Sequence, residues 1–229
     1  MKRDELDRYA QEHELTFITV ADLVAHRLKT ERLVHRVADA RLPCEIGQGE
    51  WRIVGYRNDV DDREHVALVY GSVEGSENVL VRMHSKCLTG DVFHSRRCDC
   101  GWQLHTSMEM IAREGCGVIV YLDQEGRGIG LLNKLRAYEL QDTGDDTVEA
   151  NEKLGFKADL RNYGIGAQIL LDLRLRSIRV LTNNPLKLVG LKGYGLSIVD
   201  RVRIAAPSTE ENADYLETKR TKLGHLLST

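Results

Sequence analysis

Residues 117–132 read GVIVYLDQEGRGIGLL: an apolar run at 117–122, a polar turn, then glycines at 126, 128 and 130 leading into a second apolar segment. Six consecutive apolar, largely β-branched residues are too few for a helix and suit a strand buried on both faces. The glycines break that strand, and the pattern after them predicts a helix over 131–141. A strand running through a glycine turn into a helix brings backbone N–H groups to a helix start, where a phosphate can bind. The dinucleotide-binding spacing and the phosphate-loop Lys-Ser/Thr pair are both missing, so a plain strand-to-helix turn explains the glycines equally well. Glu125 and Arg127 favour a ligand. A carboxylate can accept the two donors of a guanine edge, and a guanidinium suits phosphate.

Outward from this stretch, segments 51–56, 65–73 and 79–84 have β composition, with turn signals at Gly71 and Gly75-Ser76. After about residue 95 the pattern alternates. Helices are predicted at 101–113, 165–173 and 187–191, and strands at 178–181 and 196–202. Strands first and helix–strand alternation later predict an α+β (mixed α/β) fold, with a mixed sheet flanked by helices. Residues 1–41 read as a helical appendage and 42–229 as the main domain. Within the appendage, 4–13 is helix-compatible, 15–20 is β-prone, and Thr19 with Asp22 matches a capping box. Leu23, Val24, Leu28, Leu33 and Val34 keep helical spacing through Arg36, and Leu42-Pro43 is a stop. The tail at 208–227 reads as a polar helix docked by Tyr215, Leu216 and Leu223.

The chain has 229 residues, with 32 Lys plus Arg against 35 Asp plus Glu and a net charge of −3. That balance predicts neither a nucleic-acid partner nor an anionic membrane surface. With 42% apolar and 29% charged residues the composition is that of a soluble globular protein. The longest apolar run is far too short for a bilayer, and the charged opening residues do not form a secretory signal. A cytosolic location is the expectation.

Of the five cysteines, Cys87, Cys98 and Cys100 form a Cys-x10-Cys-x-Cys cluster. Three thiolates select zinc or an iron–sulfur cluster, and around zinc they leave one tetrahedral position open for a water that the metal activates. Three thiolates also leave the site net negative, so neighbouring cations have to assist; Arg96 and Arg97 lie inside the motif. The competing reading is a closed structural zinc with Cys44, Cys116, His84, His94 or His105 as fourth ligand. Arg82, Lys86, Arg161 and Lys187 recur beside the polar segments; alone each reads as a surface charge, together as a polyphosphate site. Asp159 and Arg161 flank Leu160, so an extended backbone points both one way. Tyr138 on the 131–141 helix reads first as packing.

Taken together, the stretches RMHSKCLTGDVFHSRRCDCGWQL, YLDQEGRGIGLLNKLRAYELQ, DTVEANEKLGF, DLRNYGIGAQIL, LTNNPLK and TKLGHLL resemble GTP cyclohydrolase II, in that family's order and spacing, from about residue 40 to the C-terminus. The resemblance implies a hydrolase using zinc and magnesium. GTP loses C8 as formate and its outer phosphates as pyrophosphate, giving 2,5-diamino-6-ribosylamino-4(3H)-pyrimidinone 5′-phosphate at the start of riboflavin synthesis. It implies zinc on Cys87, Cys98 and Cys100, Mg²⁺ with the GTP phosphates, and a homodimer. It places Tyr138 near the chemistry, Asp159 as proton acceptor and Arg161 as nucleophile toward the α-phosphate. A guanidinium stays protonated, however, so charge stabilisation suits Arg161 better. Arg82, Met83, His84, Ser85, Lys86, Gln103, Glu125, Gly126, Arg127, Thr147, Thr182 and Lys187 match nucleotide-binding positions, with Glu125 as the guanine reader. Two positions depart from the pattern: Lys86 stands where the family usually has Glu, and Asp123 where it usually has Arg. Residues 1–41 resemble the trailing segment of the 3,4-dihydroxy-2-butanone 4-phosphate synthase half of bifunctional riboflavin enzymes. The alternatives are a variant that retains the formyl group or takes another purine nucleotide, and a non-catalytic nucleotide-binding module with a structural zinc.

Overall fold

In a computed structural model, which describes residues 3–226 apart from 157, 158, 160, 162 and 192, the stretch at 117–122 is a strand in the middle of a seven-stranded sheet. Residue 160, between Asp159 and Arg161, and residue 227 of the expected tail helix lie outside the described residues. In chain order the elements begin with α1 (Arg3–Glu12), α2 (Val20–Thr30), β1 (Val34–Leu42), β2 (Trp51–Asn58), β3 (His65–Tyr70) and β4 (Val79–Ser85). They continue with α3 (Leu88–Asp91), α4 (Cys100–Glu114), β5 (Gly117–Leu122), α5 (Leu131–Asp142), α6 (Thr147–Lys153) and α7 (Gly164–Asp172). Last come β6 (Ser177–Leu181), α8 (Pro185–Leu191), β7 (Ser197–Val202) and α9 (Ala213–Thr221).

The strand order β1-β2-β3-β5-β4-β6-β7 divides the sheet in two. β1, β2, β3 and β5 pair antiparallel, whereas β5, β4, β6 and β7 run parallel. β4 is buried along nearly its whole length, and alternation sorts its side chains. Val79, Val81 and Met83 join one core with Val118, Val120, Leu122 and α7. Leu80 joins the other with Ile119, Met108 and Ile111. Arg82 and His84 share that second side and are 4% and 2% exposed, a costly burial for polar groups outside a site. The chain leaves β4 for α4 on one side of the sheet and leaves β5 toward α7 on the other, which opens a crevice beyond the carboxyl ends of the parallel strands.

Several expectations fail, the largest of them in the appendage. The helix continuing through Arg36 instead stops at Thr30, and Val34–Leu42 is an edge strand on β2. Gln168, buried on α7, forces the change. Its amide nitrogen donates to the carbonyls of Leu28 (2.7 Å) and Glu31 (2.8 Å), and its oxygen accepts from the N–H groups of Leu33 (2.8 Å) and Val34 (3.1 Å). One side chain thus satisfies the end of a helix and the start of a strand, groups that would otherwise lack partners. The division drawn after residue 41 accordingly falls within β1. The Thr19–Asp22 capping box forms as predicted, but 15–19 is not a strand. The tail helix is shorter than 208–227; Thr218 and Lys219 are its buried residues, and Tyr215, Leu216 and Leu223 are half-buried beside them. No helix among the described residues is long and apolar enough to cross a membrane.

Candidate active site

Cys87 ends the turn after β4, and Cys98 and Cys100 lie at the start of α4. Their sulfurs all lie within 4.8 Å of one another, and among the described residues no other metal-competent group joins them. The Cys87–Cys98 sulfur separation is 3.7 Å. Tetrahedral ligands at a zinc–sulfur distance of about 2.3 Å sit about 3.8 Å apart, so this donor set fits zinc. The proposed fourth ligands are not gathered with it. His84 is committed to Asp91, at 3.0 Å from Nε2, and His94 packs against His105.

Asp91 fixes the first ligand. One of its oxygens accepts from the Cys87 N–H (2.9 Å) and the Tyr121 hydroxyl (2.8 Å) while the carboxylate also holds His84, which stacks on Tyr121. Gly90 lies under the triad: a Cβ there would meet the Cys98 and Cys100 side chains at 3.1 Å. The anticipated cation is mainly Lys134, rather than Arg96 or Arg97. Its Nζ lies 3.1 Å from Cys87 Sγ and 2.7 Å from Glu125 Oε1. Burial opposes its charge, but Cys87 and Glu125 outweigh that and hold the ammonium above its ordinary pKa. The neighbouring thiols of Cys100 and Cys98, with Lys134, hold Cys87 well below the usual thiol range. Arg97 lines the same cleft, bonding Asp142 at 2.6 Å and lying over the Tyr138 ring, whereas Arg96 turns away to Glu211.

Two adjoining clefts share Ser85, Cys100, Arg127, Arg161 and Tyr215. The first, over the triad, is lined by Lys86, Glu125, Gly126, Tyr138 and Thr147 among the expected residues. Tyr138 bonds Thr89 (3.1 Å) on α3, the short helix that Cys87 precedes, and lines the cleft rather than serving only as packing. Glu125 accepts from Leu88 N–H (2.7 Å), Gly126 N–H (3.1 Å) and Lys134, so three of its four acceptor positions are taken. Gly126 and Arg127 are left-handed, with φ of 61° and 59°, a strained arrangement for Arg127 that turns the loop into the cleft. Lys86 and Asp123, the two departures from the family pattern, pair with each other at 3.2 Å.

The second cleft is cationic. Arg82, His84, Gln103, Thr182 and Lys187 line it, with Arg127, Arg161 and Lys219. Burial, then Arg82, Arg161 and Lys219, push Lys187 well below its ordinary pKa. Burial, then Lys219, Lys187, Arg161 and Arg127, bring His225 down to about 3. Arg82, Arg127, Arg161, Lys187 and Lys219 converge on this one cleft, which makes it a candidate anion site. Arg161 is fixed by Asp159, with Nε 2.9 Å from Oδ1. Asp159 itself lines neither cleft. Met83 is fully buried, with its side chain in the core, and contributes only its carbonyl, which accepts from Lys187 Nζ at 2.8 Å.

Fold and site together define a class: an α+β domain whose parallel strand ends carry a three-cysteine cluster able to hold a metal ion, beside a cleft lined by cationic side chains. The chain belongs to the GTP cyclohydrolase II family, whose sequence profile matches residues 35–203. It is 58% identical over 224 residues to the riboflavin biosynthesis protein RibBA of Bacillus cereus, covering 98% of this chain and 56% of that protein. It is 57% identical over 228 residues to the RibBA of Salinispora tropica, covering 99% and 56%. The chain therefore spans little more than half the length of the curated relatives it matches. Among solved structures, RibBX, a two-domain 3,4-dihydroxy-2-butanone 4-phosphate synthase from A. baumannii, is similar at 25% identity and a TM-score of 0.55, over 90% of this chain and 50% of that one.

Proposed function

We propose that this chain hydrolyses GTP to 2,5-diamino-6-ribosylamino-4(3H)-pyrimidinone 5′-phosphate, formate and pyrophosphate, with zinc on Cys87, Cys98 and Cys100 and Mg²⁺ on the phosphates. The observation that carries the reading is the contiguity of the thiol triad with the cationic cleft, close enough for one purine triphosphate to reach both. Membership of the family supports it. Bound at the triad, zinc supplies a Lewis acid that makes water a nucleophile near neutral pH.

The chain's own residues do the rest. Lys134 supplies positive charge against the thiolates and restrains Glu125, whose remaining acceptor position is available to a guanine N–H. Arg82, Arg127, Arg161 and Lys187 receive the phosphates. Burial opposes the charge on Arg161, but Tyr163 and Asp159 keep the guanidinium protonated, so it stabilises developing phosphate charge and does not attack. Asp159 is held below the ordinary carboxylate range by Arg161 despite its burial, and orients that guanidinium. Tyr138, its hydroxyl kept protonated chiefly by burial, offers a donor at the triad. Gln103, Thr147 and Thr182 complete the polar lining. A cytosolic homodimer belongs to the same reading, as does a two-part chain in which the N-terminal helices form an appendage and β1 belongs to the catalytic sheet.

The test is an end-point assay of zinc-loaded protein with GTP and Mg²⁺, following formate enzymatically and the pyrimidine by mass. Formate with the deformylated monophosphate is expected. A product that keeps the formyl group, or untouched GTP, overturns the full reaction.

A further inference from the structure

Residues beyond 203 lie outside the stretch that the family profile matches, yet they reach the centre of the site. Lys219 on α9 is buried and places Nζ 2.7 and 2.8 Å from the two oxygens of Asp99. Asp99 is 2% exposed and stands between Cys98 and Cys100. One of its oxygens also accepts from Gln103 Nε2 at 2.7 Å, and the Gln103 oxygen accepts from the Arg82 guanidinium. The chain then folds back. The His225 N–H donates to the Lys219 carbonyl (3.0 Å) and the Leu226 N–H to the Asn183 carbonyl (2.8 Å), which seats the tail beside Thr182.

We propose that Lys219 is a positioning residue: through Asp99 it sets the loop bearing two metal ligands on one side and the Gln103–Arg82 arm of the anion cleft on the other. The inference rests on the reading of the triad as a zinc site. A purely structural tail dock would not need this chemistry, since buried ion pairs stabilise little more than well-packed apolar groups. A buried charge pair bonded to the segment between two ligands is instead how outer-shell groups fix a metal centre. It also ties both clefts to one element, so that a single side chain governs the metal and the anion together.

The experiment uses the full zinc-loaded chain as wild type, as Lys219→Met, and as Lys219→Met combined with Asp99→Asn. The second variant keeps an acceptor for Gln103 without a buried unpaired charge. Zinc release to a chromogenic chelator, the thiolate absorption of the Co²⁺ form and the binding of inorganic triphosphate are measured beside thermal unfolding. Lys219→Met is expected to loosen the metal by roughly 10- to 100-fold, to shift the Co²⁺ absorption and to weaken triphosphate binding. The double variant, which still lacks the Lys219 anchor, should stay looser than wild type for zinc and weaker for triphosphate. Wild-type zinc release and triphosphate binding in Lys219→Met, with only a lower melting temperature, overturn the proposal while leaving the site reading intact. A wild-type chain that takes up no zinc overturns the site reading itself. If Lys219→Met does not fold, the double variant decides: zinc release and triphosphate binding both like wild type count against the proposal.

Discussion

Lys86, which lines the triad cleft, forms an ion pair with Asp123, Nζ to Oδ1 at 3.2 Å. The GTP cyclohydrolase II pattern usually carries the opposite charges at these positions, so the pair is reversed and its attraction is kept. Both side chains are more than a third exposed, which puts the pair at about 0.2–1 kcal/mol. Its importance therefore lies in the charge it presents to the substrate rather than in stability. Lys86→Glu should set two carboxylates against each other and against an incoming triphosphate, raising the KM for GTP with little change in melting temperature. Adding Asp123→Arg should return KM close to the wild-type value. A double variant as impaired as the single one would show that the two positions act separately.

Cys87 lies outside both apolar clusters' strands and helices, at a loop end pinned by Asp91 and Lys134. Cys87→Ser should therefore lower bound zinc and abolish formate release while circular dichroism still reports a folded sheet. Cooperative unfolding of the variant at room temperature would favour a structural metal. Lys134→Met tests the cation directly. Formate release should fall by roughly 10- to 100-fold, as for other outer-shell partners of a metal ligand. Wild-type turnover in that variant would remove Lys134 from the mechanism.

Gln168 makes four hydrogen bonds to the backbone at the α2–β1 bend. Gln168→Leu keeps the volume and strands those groups, at a cost of about 2–3 kcal/mol. For a chain of this size that lowers the unfolding midpoint by roughly 5–10 °C. Unchanged thermal unfolding would mean that water replaces the side chain.

The same residue marks the limit of what the sequence could show. The strand at 117–122, the helix after it and the cysteine triad are local patterns, with apolar runs, punctuation and ligand spacing all within a few residues. β1 was not legible, because Leu33 and Val34 continue a helical spacing and the group that ends the helix lies 135 residues away. α6 has no apolar periodicity; only its Asp146 capping box announces it. The polyphosphate cleft could be anticipated from scattered basic residues, but the Lys219–Asp99 pair could not, since its partners stand 120 positions apart and each lies among other charged residues that offer equally good local partners. Lys134 had one local clue, its place four residues before Tyr138 on the same helical face.

His225 gives a pH signature. Burial, followed by Lys219, Lys187, Arg161 and Arg127, depresses its pKa from an ordinary 6.5 to about 3. Between these values the unfolded chain binds a proton that the folded chain refuses, so protons favour unfolding. The contribution is fully present above pH 6.5 and is lost progressively as the pH falls toward 3. His65 and His84 are pushed the same way, mainly by burial, so they add to the slope. The melting temperature of the wild type should therefore fall between pH 6.5 and 4, and His225→Gln should make that fall shallower. An anion in the cleft should act in the same direction as the variant. Inorganic triphosphate offsets the cations, raises the His225 pKa and flattens the wild-type curve, with proton uptake on binding below pH 6.5. Parallel melting curves for wild type and His225→Gln across this range would place the imidazole outside the field of the cationic cleft.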